Sequence, residues 1–474
     1  MKHLKEKIPQ KDRVVLKELV ALFAAREEAF YLVGGYVRNL LLELPPSDMD
    51  IASSVHPQTL FQWANEKNIA AELVNEALGT VQLKIAGKTI EHTTFRKDSY
   101  APGGGHMPQA IEMGVSMEED ALRRDFSVNA LYYDYHEGIL HDPTGRGLAD
   151  LAAKKLCAAT KAPEQMIKDD ALRLLRMVRF ACELGFRIDA KLFFTAKRYV
   201  GQIDAIPKER IIQELDKMML SDVKYGLKGN VPPQKRAILY LIGLGLLEQL
   251  IPEFRGAEKI GQCVYHKYPV HLHTAATVGW TAPDLVLRYA ALFHDVGKVR
   301  AWKEHGKMLG HDRLGEAIVK ERFPALGADK RKVAAVALLV KEHMYDLNGN
   351  ARESRIRIKA QEMGYNMFLR LAELREADVW GSGRYLGPVK TAEKFRRVVA
   401  NMQAENVPMT LQALQINGKD LQETYAIEGP LIGQVLRALL RECAIHPAQN
   451  EKNKLLHHAK GYIKMFSMKN ALRK

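Results

Sequence analysis

The order of apolar and polar residues divides the chain into a mixed first part and a helical remainder. Residues 1–28 have the helical period and predict one helix. Its apolar face carries Val14, Leu16, Leu19, Leu22 and Phe23. A short strand (FYLVGG), a helix (YVRNLLLEL) and a second strand (DMDIASS) follow, and TVQLKIAGKTIEHTTFR alternates as a hairpin that turns at Gly87. From about residue 151 the pattern is helical, as in DDALRLLRMVRFACELGF and KERIIQELDKMML.

Composition narrows the class of protein. A chain of 474 residues predicts two to four domains. It contains no apolar run long enough to span a membrane and no apolar leader, and its four cysteines form no C-x-x-C pair. We therefore expect a cytoplasmic protein without a membrane partner. The net charge of +14 favours a polyanionic partner, chiefly nucleic acid.

Two acids in the second strand are the first candidate for chemistry. Asp48 and Asp50 are two residues apart, so both side chains lie on one face of a strand. Two adjacent like charges need a compensating cation, and oxygen ligands suit Mg²⁺. Glu91, in the following hairpin, is the candidate third acid. A solvated turn with two surface acids is the alternative.

The segment before these acids suits a phosphate ligand. Gly34 and Gly35 lack a Cβ, so their backbone can approach a triphosphate closely. Arg38 follows on the predicted helix and is a candidate contact for phosphate oxygens.

Five motifs in order resemble the class II tRNA nucleotidyltransferases, which include CCA-adding enzymes and bacterial poly(A) polymerases. They are VGGYVRNLLL…SDMDIAS, EHTTFRKDSY, EEDALRRDFSVNAL, DPTGRGLADL and DDALRLLRMVRFACELGF. The resemblance implies an α+β protein. A polymerase-β-type head with a mixed or antiparallel sheet would precede an all-α neck, body and tail. It also implies that Asp48 and Asp50 bind Mg²⁺ and that Glu91 is the third acid of the head.

The resemblance assigns further residues to nucleotide binding. In RRDFSVNAL, Arg123, Arg124, Asp125 and Asn129 would contact the ribose and triphosphate. In DDALR, Asp170 and Arg173 would select the base, with Arg176 and Arg179 on the same predicted helix. Cytosine and adenine both present an amino donor beside a ring-nitrogen acceptor, which an aspartate and an arginine can pair. Uracil and guanine reverse that pattern and leave both protein groups unpaired.

Departures from the family pattern leave the product open. Asn39 stands where the family usually has Asp, and Asp169 where it has Glu. The loop over residues 97–109 has three glycines in place of the usual acids and arginines, so a CC-only or A-only enzyme remains an alternative to CCA addition. ALGTVQLKIAG lacks the basic motif of poly(A) polymerases, which favours tRNA over general RNA ends.

A set of histidines in residues 270–378 resembles the HD phosphohydrolases. His273, His294 and Asp295 match the first positions of that family, and Asp378 is the candidate closing aspartate. His311 and His343 would widen the site to two metals. Imidazoles and carboxylates of this kind hold a divalent transition metal that activates water against a phosphoester.

These observations predict four segments: a head (1–150), a neck and body with the nucleotide-selecting motif (151–255), an HD domain (256–390) and a tRNA-binding tail (391–474). The predicted activity is Mg²⁺-dependent addition of CMP and AMP, from CTP and ATP, to the tRNA 3′ end. Two other hypotheses remain: a phosphohydrolase in which the HD domain is the main activity, and a non-catalytic RNA-binding protein.

Overall fold

A computed structural model describes residues 4–100, 108–227, 229–260 and 266–471. The chain forms two compact units, Met1–Arg255 with Arg322–Ala328, and Gly256–Glu321 with Asp329–Lys474. No helix of the described residues is both long enough and apolar enough to cross a membrane.

The first unit contains a mixed sheet of seven strands in the order β3-β4-β5-β2-β1-β8-β9. Strands β2 and β5 are parallel, and the other neighbours are antiparallel. The strands of the chain are β1 (Tyr31–Val33), β2 (Asp50–Ser53), β3 (Ala70–Asn75), β4 (Thr80–Ile85), β5 (Lys88–Thr94), β6 (Arg96–Ser99), β7 (Ala110–Met113), β8 (Tyr132–Asp134), β9 (Ile139–His141), β10 (Lys155–Leu156) and β11 (Arg187–Ile188). The predicted hairpin at Gly87 is confirmed as β4 and β5.

Helices occupy most of the remaining chain. Those up to residue 255 are α1 (Leu4–Lys7), α2 (Gln10–Ala24), α3 (Gly34–Leu41), α4 (Pro57–Glu66), α5 (Met117–Arg123), α6 (Gly147–Ala152), α7 (Pro163–Asp169), α8 (Arg173–Glu183), α9 (Ala190–Arg198), α10 (Lys208–Met219), α11 (Ser221–Lys224), α12 (Pro233–Leu244) and α13 (Leu246–Leu250).

Those after residue 255 are α14 (Val270–Gly279), α15 (Leu285–Phe293), α16 (Gly297–His305), α17 (His311–Ala325), α18 (Lys330–Glu342), α19 (Glu353–Met363), α20 (Tyr365–Gly381), α21 (Lys390–Ala404), α22 (Gly418–Tyr425), α23 (Pro430–Ile445) and α24 (Lys452–Ala471).

The N-terminal prediction of one continuous helix is wrong. Pro9 precedes α2 as its N-cap residue and has no backbone N–H, so the chain forms the short helix α1 and then restarts. The apolar face is also shifted by one residue, since Val14 is 47% exposed and Val15 is fully buried. Leu16, Leu19, Leu22 and Phe23 are buried as expected.

Residues 101–107 of the glycine-rich loop, whose departure from the family pattern left the product open, lie outside the described residues. On either side of them β6 and β7 pair as an antiparallel hairpin.

The tail has an apolar core of its own between helices α22, α23 and α24. Leu421, Val435, Leu439 and Leu455 form its centre, and each is at most 1% exposed. Helix α23 begins at Pro430, whose missing N–H suits the first turn of a helix.

Candidate active sites

The two adjacent glycines form the turn from strand β1 into helix α3. Gly34 has a φ of +67°, a conformation that favours glycine. A Cβ on Gly35 would lie 2.9 Å from the hydroxyl oxygen of Ser47. The helix therefore begins at the glycines themselves and brings its first turn against the segment that carries the acids.

Asp48 and Asp50 face the same side of the chain, although only Asp50 belongs to strand β2. Met49 between them is 5% exposed, so it points into the core while both acids line a cleft. The prediction that both acids lie within a strand is thus wrong for Asp48, which precedes it. Glu91 pairs in register with Asp50 on the parallel strand β5, but it is exposed and does not line the cleft.

The negative charges around Asp50 fit a divalent cation. Burial, with the charges of Glu91 and Asp48, raises the pKa of Asp50 to about 7, against the opposing effect of Arg124. A carboxylate in such surroundings needs a proton or a cation to offset its neighbours. Asp48 and Asp50 are oxygen donors that Mg²⁺ accepts, so they fit that ion.

We use the name head cleft for the cavity of about 540 Å³ bordered by residues from 34 to 50, 123 to 129 and 170 to 225. Nine arginines and lysines and four aspartates line it among the described residues. The excess of cations suits a ligand that carries several negative charges, such as a nucleoside triphosphate. Sequence reasoning missed six of the lining residues: Ser47, Phe180, Arg210, Lys217, Lys224 and Tyr225. Ser47 and Phe180 stand within two of the quoted motifs but are uncharged, and only the fold brings Arg210, Lys217, Lys224 and Tyr225 to the cleft.

A buried acid anchors the two arginines of the RRDFSVNAL motif. Asp120, fully buried on helix α5, accepts hydrogen bonds from Arg123 and Arg124 and from the hydroxyl of Tyr132. Ser116 and Glu119 form a capping box that fixes the start of this helix.

A chain of hydrogen bonds joins helices α3 and α8 through the same motif. Arg176 donates two hydrogen bonds to Asp125 at 2.6 and 2.9 Å, and Asn129 donates to the other carboxylate oxygen of Asp125 at 3.0 Å. Arg38 donates to the side-chain oxygen of Asn129 at 2.5 Å and to that of Asn39 at 2.9 Å. Asn129 ends a single 3-10 turn, Ser127–Asn129.

The structure corrects the placement of the base-selecting pair. Asp170 and Arg173 do not share a face of one helix, because Asp170 is extended (φ −150°) in the break between α7 and α8. Its carboxylate accepts from the backbone N–H of Leu172 and from Arg210, each at 3.0 Å. Arg173 donates to the carbonyl oxygens of Arg123 and Met166. Both side chains nevertheless line the head cleft.

Arg179, predicted to bind nucleotide, lines the head cleft but also holds a buried ion-pair network. It donates to Glu214 at 2.6 Å and to Glu183 at 3.0 Å, and all three side chains are at most 5% exposed. Its guanidinium also lies over the ring of Phe180.

In the second unit the predicted histidines and aspartates come together, and we call them the histidine cluster. The Nε2 atoms of His273 and His294 are 3.1 Å apart, and His273 Nε2 is 3.0 Å from Asp378 Oδ1. Asp295 lies with Oδ2 towards this pair, 3.3 Å from His294 Nε2.

A second pair of histidines meets the other oxygen of Asp295. The Nε2 atoms of His311 and His343 are also 3.1 Å apart, and Asp295 Oδ1 lies 3.4 Å from His311 Nε2. Gly297 allows this approach, since a Cβ there would collide with the carbonyl oxygen of His311. Asp295 thus faces one histidine pair with each oxygen, so it would offer a ligand oxygen to a metal held by either pair.

The hydrogen bonds of the ring nitrogens show that the histidine cluster fits a metal. His294, His311 and His343 each donate Nδ1–H to a backbone carbonyl oxygen, at 2.6 to 2.8 Å. When His311 and His343 are neutral, their facing Nε2 atoms therefore carry lone pairs, which repel unless a cation lies between them. His343 is such a neutral ring, because burial lowers its pKa to about 3. Sequence reasoning missed His266, whose ring lies 4.7 Å from that of His273, in the separate motif YHKYP.

Comparisons with protein families agree with both resemblances. Residues 30–157 match the family model of the poly A polymerase head domain, and residues 271–378 match that of the HD domain. These two matches confirm the resemblances that the motifs carry.

Comparisons with whole proteins point the same way. Over 217 residues the chain is 37% identical to a CCA-adding enzyme of Streptococcus pyogenes, which covers 45% of this chain and 51% of that protein. The chain thus spans about half the length of the curated relatives it matches.

Solved structures show the fold along nearly the whole chain. The Bacillus stearothermophilus CCA-adding enzyme in complex with CTP has a TM-score of 0.72 at 23% identity, covering 98% of this chain and 100% of that one. The Thermotoga maritima CCA-adding enzyme complexed with tRNA has a TM-score of 0.60 at 16% identity, covering 97% of each chain. The predicted fold class, a sheet-containing head followed by helical segments, is confirmed.

The anchor at Asp120 predicts a loss of stability in acid. Burial alone would raise the pKa of Asp120, but Arg124 and Arg123 lower it to about 2. The ionised Asp120 carboxylate therefore stabilises the folded state by about 2 kcal/mol. This contribution is complete above the unfolded pKa near 4 and is lost as the pH falls towards 2. Asp120→Asn should lower the urea midpoint at pH 7 and reduce its further fall between pH 5 and 3. Glu118→Gln, which removes an exposed acid of the same helix, is the control. An acid-induced loss of equal size in Asp120→Asn and the wild type would contradict the prediction.

Proposed function

We propose that the protein is a tRNA nucleotidyltransferase that adds CMP and AMP to the tRNA 3′ end and releases pyrophosphate. The observation that carries the proposal is the head cleft, where Asp48 and Asp50 lie among nine cationic side chains. The head-domain match and the CCA-adding enzymes of similar fold support it.

In this proposal Asp48 and Asp50 hold Mg²⁺, with Glu91 beside Asp50 adding negative charge. The ion would neutralise phosphate oxygens and lower the pKa of the attacking hydroxyl. The protein's own part is to bind and orient the nucleotide. Gly34 and Gly35 bring backbone close to the triphosphate, and Arg123 and Arg124, held by Asp120, face its oxygens.

Base selection is proposed for Asp170 and Arg173. Asp170 lies in the extended break between α7 and α8, and its ion pair with Arg210 orients the carboxylate there. Its acceptor oxygens suit the amino groups of cytosine and adenine, and the Arg173 guanidinium suits their ring nitrogens. Addition of C only, addition of A only and polyadenylation are the alternative activities of the same cleft.

Replacing one metal-binding acid should abolish the activity. With tRNA lacking CCA and with CTP, ATP and Mg²⁺, we expect Asp50→Asn to lower kcat by about a thousandfold or more, because the charge that gathers the cation is lost. Labelled nucleotide incorporation measures this, and Glu137→Gln, an exposed acid of the same domain, is the control.

Supplying each nucleotide alone and sequencing the product end separates the alternatives. A wild-type protein that is folded but incorporates neither nucleotide would refute the proposal.

Replacing the base-selecting acid should change which nucleotide is added. Asp170→Asn converts one acceptor oxygen into a donor, so the preference for CTP over UTP should fall about tenfold or more. The measurement is kcat/KM for each nucleotide on the same tRNA. Glu209→Gln, the exposed neighbour of Arg210, should keep the wild-type ratio. An unchanged ratio in Asp170→Asn would remove that residue from base selection.

We propose metal-dependent phosphoester hydrolysis as a second activity, located at the histidine cluster. The facing Nε2 pairs on both sides of Asp295 favour it. A divalent transition metal would supply an activated water there. His273, His294 and Asp378 would hold one metal and His311 and His343 the other, with Asp295 between them.

The second activity predicts metal loss in a histidine variant. Besides any Mn²⁺ held at Asp48 and Asp50, wild-type protein should bind about two equivalents of Mn²⁺ at the histidine cluster and hydrolyse a cyclic nucleotide, as two-metal sites do. His294→Ala should lose both the metal and the hydrolysis, whereas the exposed His305→Ala should keep them. Asp50→Asn should hydrolyse normally. Equal metal content in the two histidine variants would exclude this site.

A further inference from the structure

A separate cavity of about 450 Å³ in the second unit has a strongly positive lining, and we call it the basic cavity. Arg375, Lys390 and Lys394 line it, and no acidic residue does so among the described residues. Leu347, Val379 and Pro388 contribute apolar wall. A concave site with apolar walls and a few convergent cations suits a small organic anion.

The start of helix α21 supplies backbone donors to this cavity. Val389, the N-cap residue, offers no side chain to the first amides of this fifteen-residue helix, and Val389, Lys390 and Thr391 all line the cavity. The unpaired N–H groups and the helix dipole at this end favour an anion. Lys394 fixes the opposite wall, because its ammonium donates to the carbonyl oxygens of Gly349 and Ala351.

Arg375 gives a second reason to expect a ligand in the basic cavity, independent of the start of helix α21. Its side chain is 4% exposed, and its Nε has no hydrogen-bond partner among the described residues. Its Nη2 donates to the carbonyl oxygens of His343 and Tyr345, while Nη1 forms an ion pair with Asp378 Oδ2 at 3.7 Å, beyond hydrogen-bond distance. A buried guanidinium with unused donors is costly unless an anion completes it. Asp346 is the other carboxylate whose charge reaches Arg375, and it does not line the cavity.

We propose that the basic cavity binds the phosphate group of a small phosphate ester, such as a nucleotide. The first amides of α21, Lys390 and Arg375 would hold the phosphate, and the apolar wall would take the rest of the molecule. Arg375 also contacts His343 and approaches Asp378, so the bound phosphate lies beside the histidine cluster. The site does not depend on whether the histidine cluster is catalytic.

Local hydrogen–deuterium exchange tests this proposal, because it distinguishes binding in the basic cavity from the phosphate binding proposed for the head cleft. Full-length protein treated with EDTA is titrated with inorganic phosphate and with AMP. We expect amide exchange over residues 388–394 to slow about fivefold or more at saturation, since the ligand takes up the free N–H groups. Lys390→Gln, a change at an exposed residue, should raise the Kd read from this peptide about tenfold.

Arg397→Gln removes an exposed cation from the same helix outside the cavity and should leave the Kd unchanged. Arg375→Gln, checked for folding by its melting temperature, should abolish the protection. Protection confined to head peptides, or an equal loss in Arg397→Gln and Lys390→Gln, would overturn the proposal.

Discussion

The ion pair between Asp125 and Arg176 is the contact on which the head cleft depends. It joins the segment before the 3-10 turn to helix α8, so it fixes the sheet-bearing part of the first unit against the helices that follow. Asp125 is 7% exposed, and its second oxygen orients Asn129, which in turn accepts from Arg38. Each oxygen of the Asp125 carboxylate is thus used, one by Arg176 and the other by Asn129, which holds both partners in place. The cations of the cleft are therefore positioned by side chains as well as by the backbone.

The head cleft at Asp50 and the histidine cluster fit a divalent metal for different reasons. At Asp50 burial and the charges of Glu91 and Asp48 outweigh the opposing charge of Arg124, so a divalent cation would offset the repulsion among the acids. In the histidine cluster, carbonyl oxygens one turn back orient the rings of His294, His311 and His343, and burial keeps His343 neutral by lowering its pKa to about 3. Burial of these rings keeps water away from the Nε2 atoms that would hold a metal.

Local patterns predicted the parts of the site that depend on adjacent residues. The glycine turn, the common face of Asp48 and Asp50 and the hairpin at Gly87 follow from steric freedom and from the two-residue period of extended chain. The break before Arg173 could not be found in this way, because Asp170 and its neighbours fit a helical period. Its extended backbone accompanies a contact with Arg210, forty residues away in sequence.

Local sequence patterns were equally limited in assigning roles to individual residues. Arg179 has the sequence surroundings of a nucleotide-binding residue, yet its donors satisfy two buried glutamates that no local pattern connects with it. The histidines were recognisable from composition and order, whereas the bridging position of Asp295 required the packing of four helices. Motifs thus identified the chemistry, and tertiary contacts determined which atoms were available for it.

Phe180 shows how an uncharged residue can control an electrostatic surface. The guanidinium carbons of Arg38, Arg176 and Arg179 lie 5.2, 5.3 and 4.1 Å from the centre of its ring. Three cations that repel one another are thus spaced around one aromatic ring. The attraction of each cation to the ring's quadrupole partly offsets their mutual repulsion. A substitution of Phe180 by another uncharged residue would consequently alter the electrostatic potential of this side of the head cleft without changing the protein's net charge.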